Sequence, residues 1–126
     1  MLDHLQLSSL NISKNNLGDE GIIQFISKLK DTFTCQYIEK LDISNCKLSD
    51  KSFMLILESL NCFEELKYIK CVENYISEKY EKIYAELLKK NETLIGLQLQ
   101  GNRLSLSGLK GIKRIIDRNL KDFEEK

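Results

Sequence analysis

Cysteine and histidine are common metal ligands and catalytic groups, and this 126-residue chain has four cysteines and one histidine. No two of the cysteines are separated by only two residues; they are Cys35, Cys46, Cys62 and Cys71. A zinc site favours such close pairs or nearby histidines, whereas His4 lies far from every cysteine in the sequence. We therefore expect four buried thiols in a reducing compartment, in preference to a metal site or a disulfide framework.

The residues of two common kinds of catalytic site are also missing. A serine or cysteine nucleophile activated by histidine could use only His4. Gly101, Gly108 and Gly111 are too far apart for a phosphate-binding loop, and none is followed by Lys-Ser or Lys-Thr. The sequence therefore predicts a protein that is not an enzyme and that binds no cofactor.

Charge and hydropathy argue against two classes of partner. The 19 lysine and arginine residues balance 19 aspartate and glutamate residues, which disfavours binding to nucleic acid or to an anionic membrane through bulk charge. The longest apolar run, 53–57, is far shorter than the roughly 20 residues that cross a bilayer. Because no signal peptide is recognisable, we expect a cytoplasmic protein.

A pattern of apolar residues recurs four times along the chain. From Leu7, apolar residues occupy positions 1, 4, 6 and 11, and Asn15 occupies position 9. The pattern begins again at Ile38, Leu66 and Leu94, so the starts are separated by 31, 28 and 28 residues. Apolar residues at helical spacing follow each instance. Each repeat is thus predicted to form a short strand, a turn and a helix.

Counting in fours from the strand pattern predicts which side of each helix faces inward. The inward residues would include Phe25, Ile56, Tyr84 and Ile112. In the last helix, about 106–123, the inward residues would be Leu109, Ile112, Ile116 and Leu120, and the charged outer side would make it a C-terminal cap. Three serines lie where a helix N-cap is useful: Ser49, Ser77 and Ser105.

The pattern LxxLxLxxN/CxL resembles that of the leucine-rich repeat family, and the 28-residue period is similar to its ribonuclease-inhibitor-like subfamily. The resemblance covers about residues 7–120. It implies an α/β fold, a right-handed horseshoe-shaped solenoid of four repeats with a parallel concave sheet and outer helices, in a single domain over 1–126. It also implies that position 9 forms a buried column that satisfies backbone groups where each strand ends: Asn15, Cys46, Asn74 and Asn102.

The strand residues that alternate with the core leucines would line the concave face of such a sheet. This face is polar and mixed in charge, with Tyr68 as its one aromatic residue, which is a plausible hot spot for a protein partner. The alternative, a merely solvated sheet, stays equally open. The partner-binding candidates on this face are Lys40, Asp42, Tyr68, Lys70, Val72, Gln98 and Gln100.

Met54 and Leu55 are a second set of partner-binding candidates, because the inward side of their helix is already filled by other apolar residues. They would pack against a neighbouring helix or form a lateral patch for a partner. At the other end of the chain, Met1 lies where a preceding helix would have ended. We therefore expect the N-terminal edge of the sheet to be covered by another chain or by upstream sequence.

These features favour a non-catalytic protein-interaction module, a scaffold subunit of a larger intracellular assembly whose partners are other proteins. Similar repeats occur in cytoskeletal and ciliary proteins, actin-filament end cappers and small-GTPase activators. Lysine outnumbers arginine 16 to 3, a bias towards A/T-rich codons that is seen in ciliates and some parasites, and it points towards a ciliary or axonemal setting. The alternatives are an enzyme regulator, of the small-GTPase activator or inhibitor type, and a pathogen effector or recognition domain.

Overall fold

A computed structural model describes residues 8–126, so Leu7, His4 and Met1 lie outside the described residues. Four strands form one parallel sheet in chain order: β1 (Ser9–Asn11), β2 (Lys40–Asp42), β3 (Tyr68–Lys70) and β4 (Gly96–Gln98). Each strand is followed by a helix: α1 (Gly18–Asp31), α2 (Asp50–Glu58), α3 (Glu81–Lys89) and α4 (Leu106–Glu124). Short 3-10 helices cover Thr34–Gln36, Leu60–Cys62 and Glu78–Tyr80. The predicted α/β class and its strand–turn–helix repeat are confirmed.

The core lies between the sheet and the helices. The middle residues of the strands are paired in register: Leu10, Leu41, Ile69 and Leu97. In the two inner strands these side chains are buried, whereas Leu10 and Leu97 on the outer strands are only half-buried. Each side chain is packed between its neighbours in the adjacent repeats, so the outermost repeats bury less apolar surface.

The predicted inward sides of two helices need correction. In α1 the buried residues are Ile22, Ile26 and Leu29, whereas Phe25 is half-buried. Ile22, Ile26 and Leu29 are spaced as one helical stripe. Counting in fours is correct at Leu29 and one residue too early at Phe25.

In α4 the predicted inward residues Leu109 and Leu120 are 37% and 36% exposed. The buried residues of this helix are instead Ile112, Ile115, Ile116 and Asn119. The Asn119 side-chain amide donates to the carbonyls of Asn91 at 3.1 Å and Leu94 at 2.9 Å. These bonds turn a polar residue towards the core, which the apolar spacing alone could not indicate.

The column at position 9 connects each repeat to the one before it. Asn74 Oδ1 accepts the backbone N–H groups of Cys46 at 3.0 Å and Leu48 at 3.1 Å, and its Nδ2 donates to the Ile43 carbonyl at 3.0 Å. Asn102 likewise accepts from Ile76 N at 3.0 Å. The first member differs from the expectation, because Asn15 is exposed and, among residues 8–126, its side chain bonds only within its own turn.

All three predicted serine caps are confirmed. The side chains of Ser49, Ser77 and Ser105 accept the backbone N–H groups of Lys51, Lys79 and Gly108, respectively. Each serine is in turn bound by a carboxylate from the first helical turn of the preceding repeat, a contact that we call a carboxylate clamp. The three clamps are Asp19–Ser49, Asp50–Ser77 and Glu81–Ser105.

The clamp at Asp19 makes the stability of the fold depend on pH. Burial alone would raise the pKa of Asp19, but hydrogen bonds from the Ser49 and Ser52 hydroxyls and the Ser49 backbone N–H hold that pKa below its ordinary value. Such a group adds stability above its unfolded pKa of about 3.9, and this stability is lost as the pH falls through the lower, folded pKa.

We therefore expect Asp19→Asn to reduce the loss of unfolding free energy between about pH 5 and about pH 2, as measured by urea unfolding. The matched control is Asp31→Asn, since Asp31 is an exposed aspartate at the end of the same helix. This control should keep the pH profile of the unmodified chain. If the unfolding free energies of Asp19→Asn and the unmodified chain changed equally with pH, Asp19 would not be the source of the pH dependence.

Candidate protein-interaction surface

The sheet presents one face away from the helices, here called the open face, and it holds most of the predicted partner-binding residues. Strand pairing aligns them in two rows: Ser9, Lys40, Tyr68 and Gly96 in the first, and Asn11, Asp42, Lys70 and Gln98 in the second. Together they line a groove of about 380 Å³. The structure thus brings five predicted residues into one groove: Lys40, Asp42, Tyr68, Lys70 and Gln98.

Tyr68 is held in place by its two neighbours in the first row. A Cβ atom at position 96 would lie 2.7 Å from the Tyr68 Cδ1 atom, so the ring lies across β4 in space that only a glycine leaves open. On the other side, Lys40 Nζ is 5.6 Å from the ring centroid, within cation–π range. The ring is nevertheless 43% exposed. It is therefore an aromatic side chain fixed before any partner arrives, which reduces the entropy lost on binding.

Charge of both signs surrounds this ring. Asp42 Oδ1 accepts the backbone N–H of Ser44 at 3.0 Å, which fixes the carboxylate beside the row. Asn11 accepts from the Ser13 N–H at 2.9 Å in the same way one repeat earlier. Within residues 8–126, no carboxylate oxygen lies within salt-bridge distance of Lys40 or Lys70. The open face therefore offers ordered acceptors together with ammonium groups that can pair with acidic side chains of a partner.

The other predicted candidates lie elsewhere. Val72 lines a second groove of about 350 Å³ at the carboxyl ends of the strands. Gln100 lines a groove at the C-terminal end of the sheet, between β4 and α4. Met54 and Leu55 are half-buried in α2 and pack against the core, so neither is among the exposed large apolar side chains.

The four cysteines are free thiols, and most of them are packed inside the fold. Cys35, Cys46 and Cys71 are buried, whereas Cys62 is half-buried, contrary to the expectation of four buried thiols; all four are free. Burial raises the pKa of Cys35, and it raises the pKa of Cys71 to about 12. Both thiols are thus protonated at neutral pH and are poor nucleophiles.

Neither a metal-ion cluster nor a membrane-spanning helix is found among the described residues. Across 8–126, no three His, Cys, Asp or Glu side chains are grouped in a way that could hold a metal ion. None of the helices described over the same range has the length and apolar character required to span a membrane.

The repeat units match a known family in sequence. The family model described as "Leucine Rich repeat" matches residues 5–25 and 34–56. This match does not distinguish the ribonuclease-inhibitor-like subfamily, which stays a prediction. No curated protein matches the chain at a significant level of sequence similarity.

Two solved structures share the fold. One is actin-binding site 2 of leiomodin-1, with a TM-score of 0.66 and 14% identity over 98% of this chain and 86% of that chain. The other is the C-terminal domain of tropomodulin from Caenorhabditis elegans, with a TM-score of 0.57 and 16% identity over 97% of this chain and 89% of that chain. The recurring strand–turn–helix units, the two segments matched by the family model and these likenesses together show that the chain has a leucine-rich repeat fold.

Proposed function

We propose that the chain is a non-catalytic protein-interaction module that binds its partner on the open face of the sheet. The observation that carries the proposal is the exposed Tyr68 side chain, fixed between Lys40 and Gly96 in the open-face groove. A rigid aromatic side chain among adaptable polar groups is the usual composition of a binding hot spot. The buried thiols of Cys35 and Cys71 support a non-catalytic role, since their raised pKa makes them poor nucleophiles.

The proposed setting is the cytoskeleton, where the module acts as a scaffold subunit. Support comes from the fold shared with a leiomodin-1 region that is named as an actin-binding site. A ciliary or axonemal assembly, suggested by the lysine-rich composition, is the finer form of the same proposal. Actin filaments and microtubules are therefore the two partners to test first.

Co-sedimentation with each filament type tests the proposal, and Tyr68→Ala is expected to raise the dissociation constant about 30-fold, the effect of losing a hot-spot aromatic. Its thermal midpoint should change little, because nearly half of the ring is exposed. Tyr75→Ala is the matched control, since Tyr75 is 56% exposed and is absent from the open-face groove.

Three results would count against the proposal. Absence of binding to both filaments would remove the cytoskeletal setting. Equal effects of Tyr68→Ala and Tyr75→Ala would remove the open face as the binding site. Recovery of the native protein only as a free monomer would contradict the scaffold role.

A further inference from the structure

The C-terminal end of the sheet carries an apolar groove that the open face does not include. The groove, of about 370 Å³, lies between β4 and α4. Its floor consists of Leu97, Leu99, Leu109, Ile112 and Ile116, and its rim carries Gln100, Lys113 and Asp117. Beside it on α4, Leu106 is 69% exposed and Leu120 is 36% exposed. This end is therefore not the uniformly polar cap that the sequence predicts.

The outer edge of β4 also has no partner strand among the described residues. On the side of β4 that faces β3, the Gly96 N–H donates a hydrogen bond, and the carbonyls of Gln98 and Gln100 each accept one. Because residues of a strand alternate in the direction of their backbone groups, Leu97 and Leu99 direct theirs to the outer edge of β4. The Leu99 carbonyl accepts one hydrogen bond there, from Asn102 Nδ2 at 3.1 Å, and a carbonyl oxygen can accept a second. An open strand edge beside exposed leucines is a surface that proteins usually cover.

The last repeat lacks the acidic residue that forms a carboxylate clamp between each earlier repeat and the next. The first turns of α1, α2 and α3 contain acidic residues, which form the carboxylate clamps, but the first turn of α4 contains none. At the opposite end, the residue before α1 is Leu17 and provides no side-chain cap. Head-to-tail stacking of two copies would therefore have neither half of a clamp, and a symmetric contact between two C-terminal ends is favoured.

We infer that this groove is the interface of a symmetric dimer in which β4 and α4 of one copy pack against β4 and α4 of a second copy. In a two-fold contact of this kind, both the strands and the helices run antiparallel. A helix pair centred at Ile115 places Lys113 opposite Asp117 of the second copy, and the reverse pair forms at the same time. The same register places Leu109 within one position of Leu120 of the second copy.

The strands agree with this register. The α4 residues that line the groove, 109–117, lie beside 97–100 of the sheet. The inferred axis crosses α4 near Ile115 and β4 near Gln98. Antiparallel pairing about Gln98 brings the outward backbone groups of Leu97 to those of Leu99 in the second copy. A single two-fold axis thus pairs the free edges of β4, covers the apolar floor of the groove and brings the opposite charges of the rim together.

The rim charges are suited to exchange between copies. Lys113 Nζ lies 2.8 Å from Asp117 Oδ2 within one helix, and both side chains are more than half exposed. A lysine that precedes its acidic partner by four residues is the weaker orientation for a pair within a helix, so a partner across the interface competes well. Equal numbers of opposite charges make the rim complementary to a copy of itself.

Sedimentation equilibrium of the 126-residue chain, at about 1 to about 200 μM, tests the inference; this range covers the micromolar affinities common for small interfaces. We expect the mass to approach twice the 14.7 kDa of the chain. Lys113→Asp alone and Asp117→Lys alone should each raise the dissociation constant about tenfold, because each creates two like-charge contacts. The double reversal should restore the original value to within about threefold.

Arg114→Asp is the matched control, since Arg114 is an exposed cation on the same helix but does not line the groove. It should leave the dissociation constant unchanged. A monomer at the highest concentration overturns the inference, and so does a dimer that is insensitive to Lys113→Asp. The inference does not depend on the proposed function: Tyr68→Ala should leave dimerisation intact, and loss of filament binding would not affect this result.

Discussion

Replacing Asn74 with alanine is expected to lower the free energy of unfolding by about 4 kcal/mol, the largest effect expected of a single polar side chain in this protein. Asn74 is 4% exposed, and it satisfies two backbone N–H groups of the preceding repeat and one carbonyl. Alanine would leave these three groups buried without partners, at a cost of about 1–3 kcal/mol each before relaxation. Urea unfolding followed by circular dichroism measures the loss.

Asn15→Ala is the matched control, because Asn15 occupies the same position of the repeat. Its side chain is exposed and donates only within its own turn, to Ile12 O at 2.8 Å and Ser13 O at 3.2 Å. Water can replace both bonds, so the expected loss is below about 1 kcal/mol. Similar losses for the two variants would show that the residue matters for forming the turn, and not for connecting one repeat to another.

The same comparison explains what the sequence could predict. The apolar pattern recurs in every repeat, and position 9 is asparagine in three repeats and Cys46 in the second. These features fix the strand register and align Tyr68 with Lys40 and Gly96. Asn74 and Asn102 accept backbone N–H groups of the preceding repeat, whereas Asn15 donates to carbonyls of its own turn. Asn15 is exposed in the first described repeat, and a repeat motif carries no information about such an end effect.

Other features could not be read from spacing. The clamp partners are separated by 30, 27 and 24 residues in the three repeat pairs, so no fixed interval reveals them. Lys14, Asn45 and Glu73 have φ values of 63°, 52° and 57° at the repeat position where Gly101 has 79°. Only the last of the four is a glycine, so composition gives little signal for this left-handed turn.

The open face and the groove at the C-terminal end of the sheet also differ in how far the sequence predicts them. The open face follows from the alternation of side chains along a strand, which the sequence contains. The groove at the C-terminal end depends on the rotation of α4, which Asn119 fixes through its bonds to Asn91 and Leu94. A polar residue with buried partners interrupts the apolar pattern, so Leu109 and Leu120 were predicted inward when they are in fact exposed.

The second large effect is expected at the middle clamp, where Asp50→Ala should lower the free energy of unfolding by about 3 kcal/mol. Asp50 accepts the Ser77 N–H at 3.0 Å and the Ser77 hydroxyl at 2.5 Å, and it also accepts the hydroxyl of Tyr84. Tyr84 is fully buried, and its ring packs edge-on against Phe53 at 4.8 Å between centroids. Without Asp50, the Tyr84 hydroxyl would lose its strongest acceptor inside the core.

A double-mutant cycle with Tyr84→Phe isolates this contribution. Tyr84→Phe removes the hydroxyl and keeps the ring, so the double variant should be more stable than the two single losses predict, by about 1–2 kcal/mol. Glu78→Ala is the control for removing a carboxylate near a helix start, since Glu78 is exposed; the expected change is below about 0.5 kcal/mol. Additive losses would contradict a stabilising hydrogen bond between Tyr84 and Asp50, because they would mean that the two side chains stabilise the fold independently.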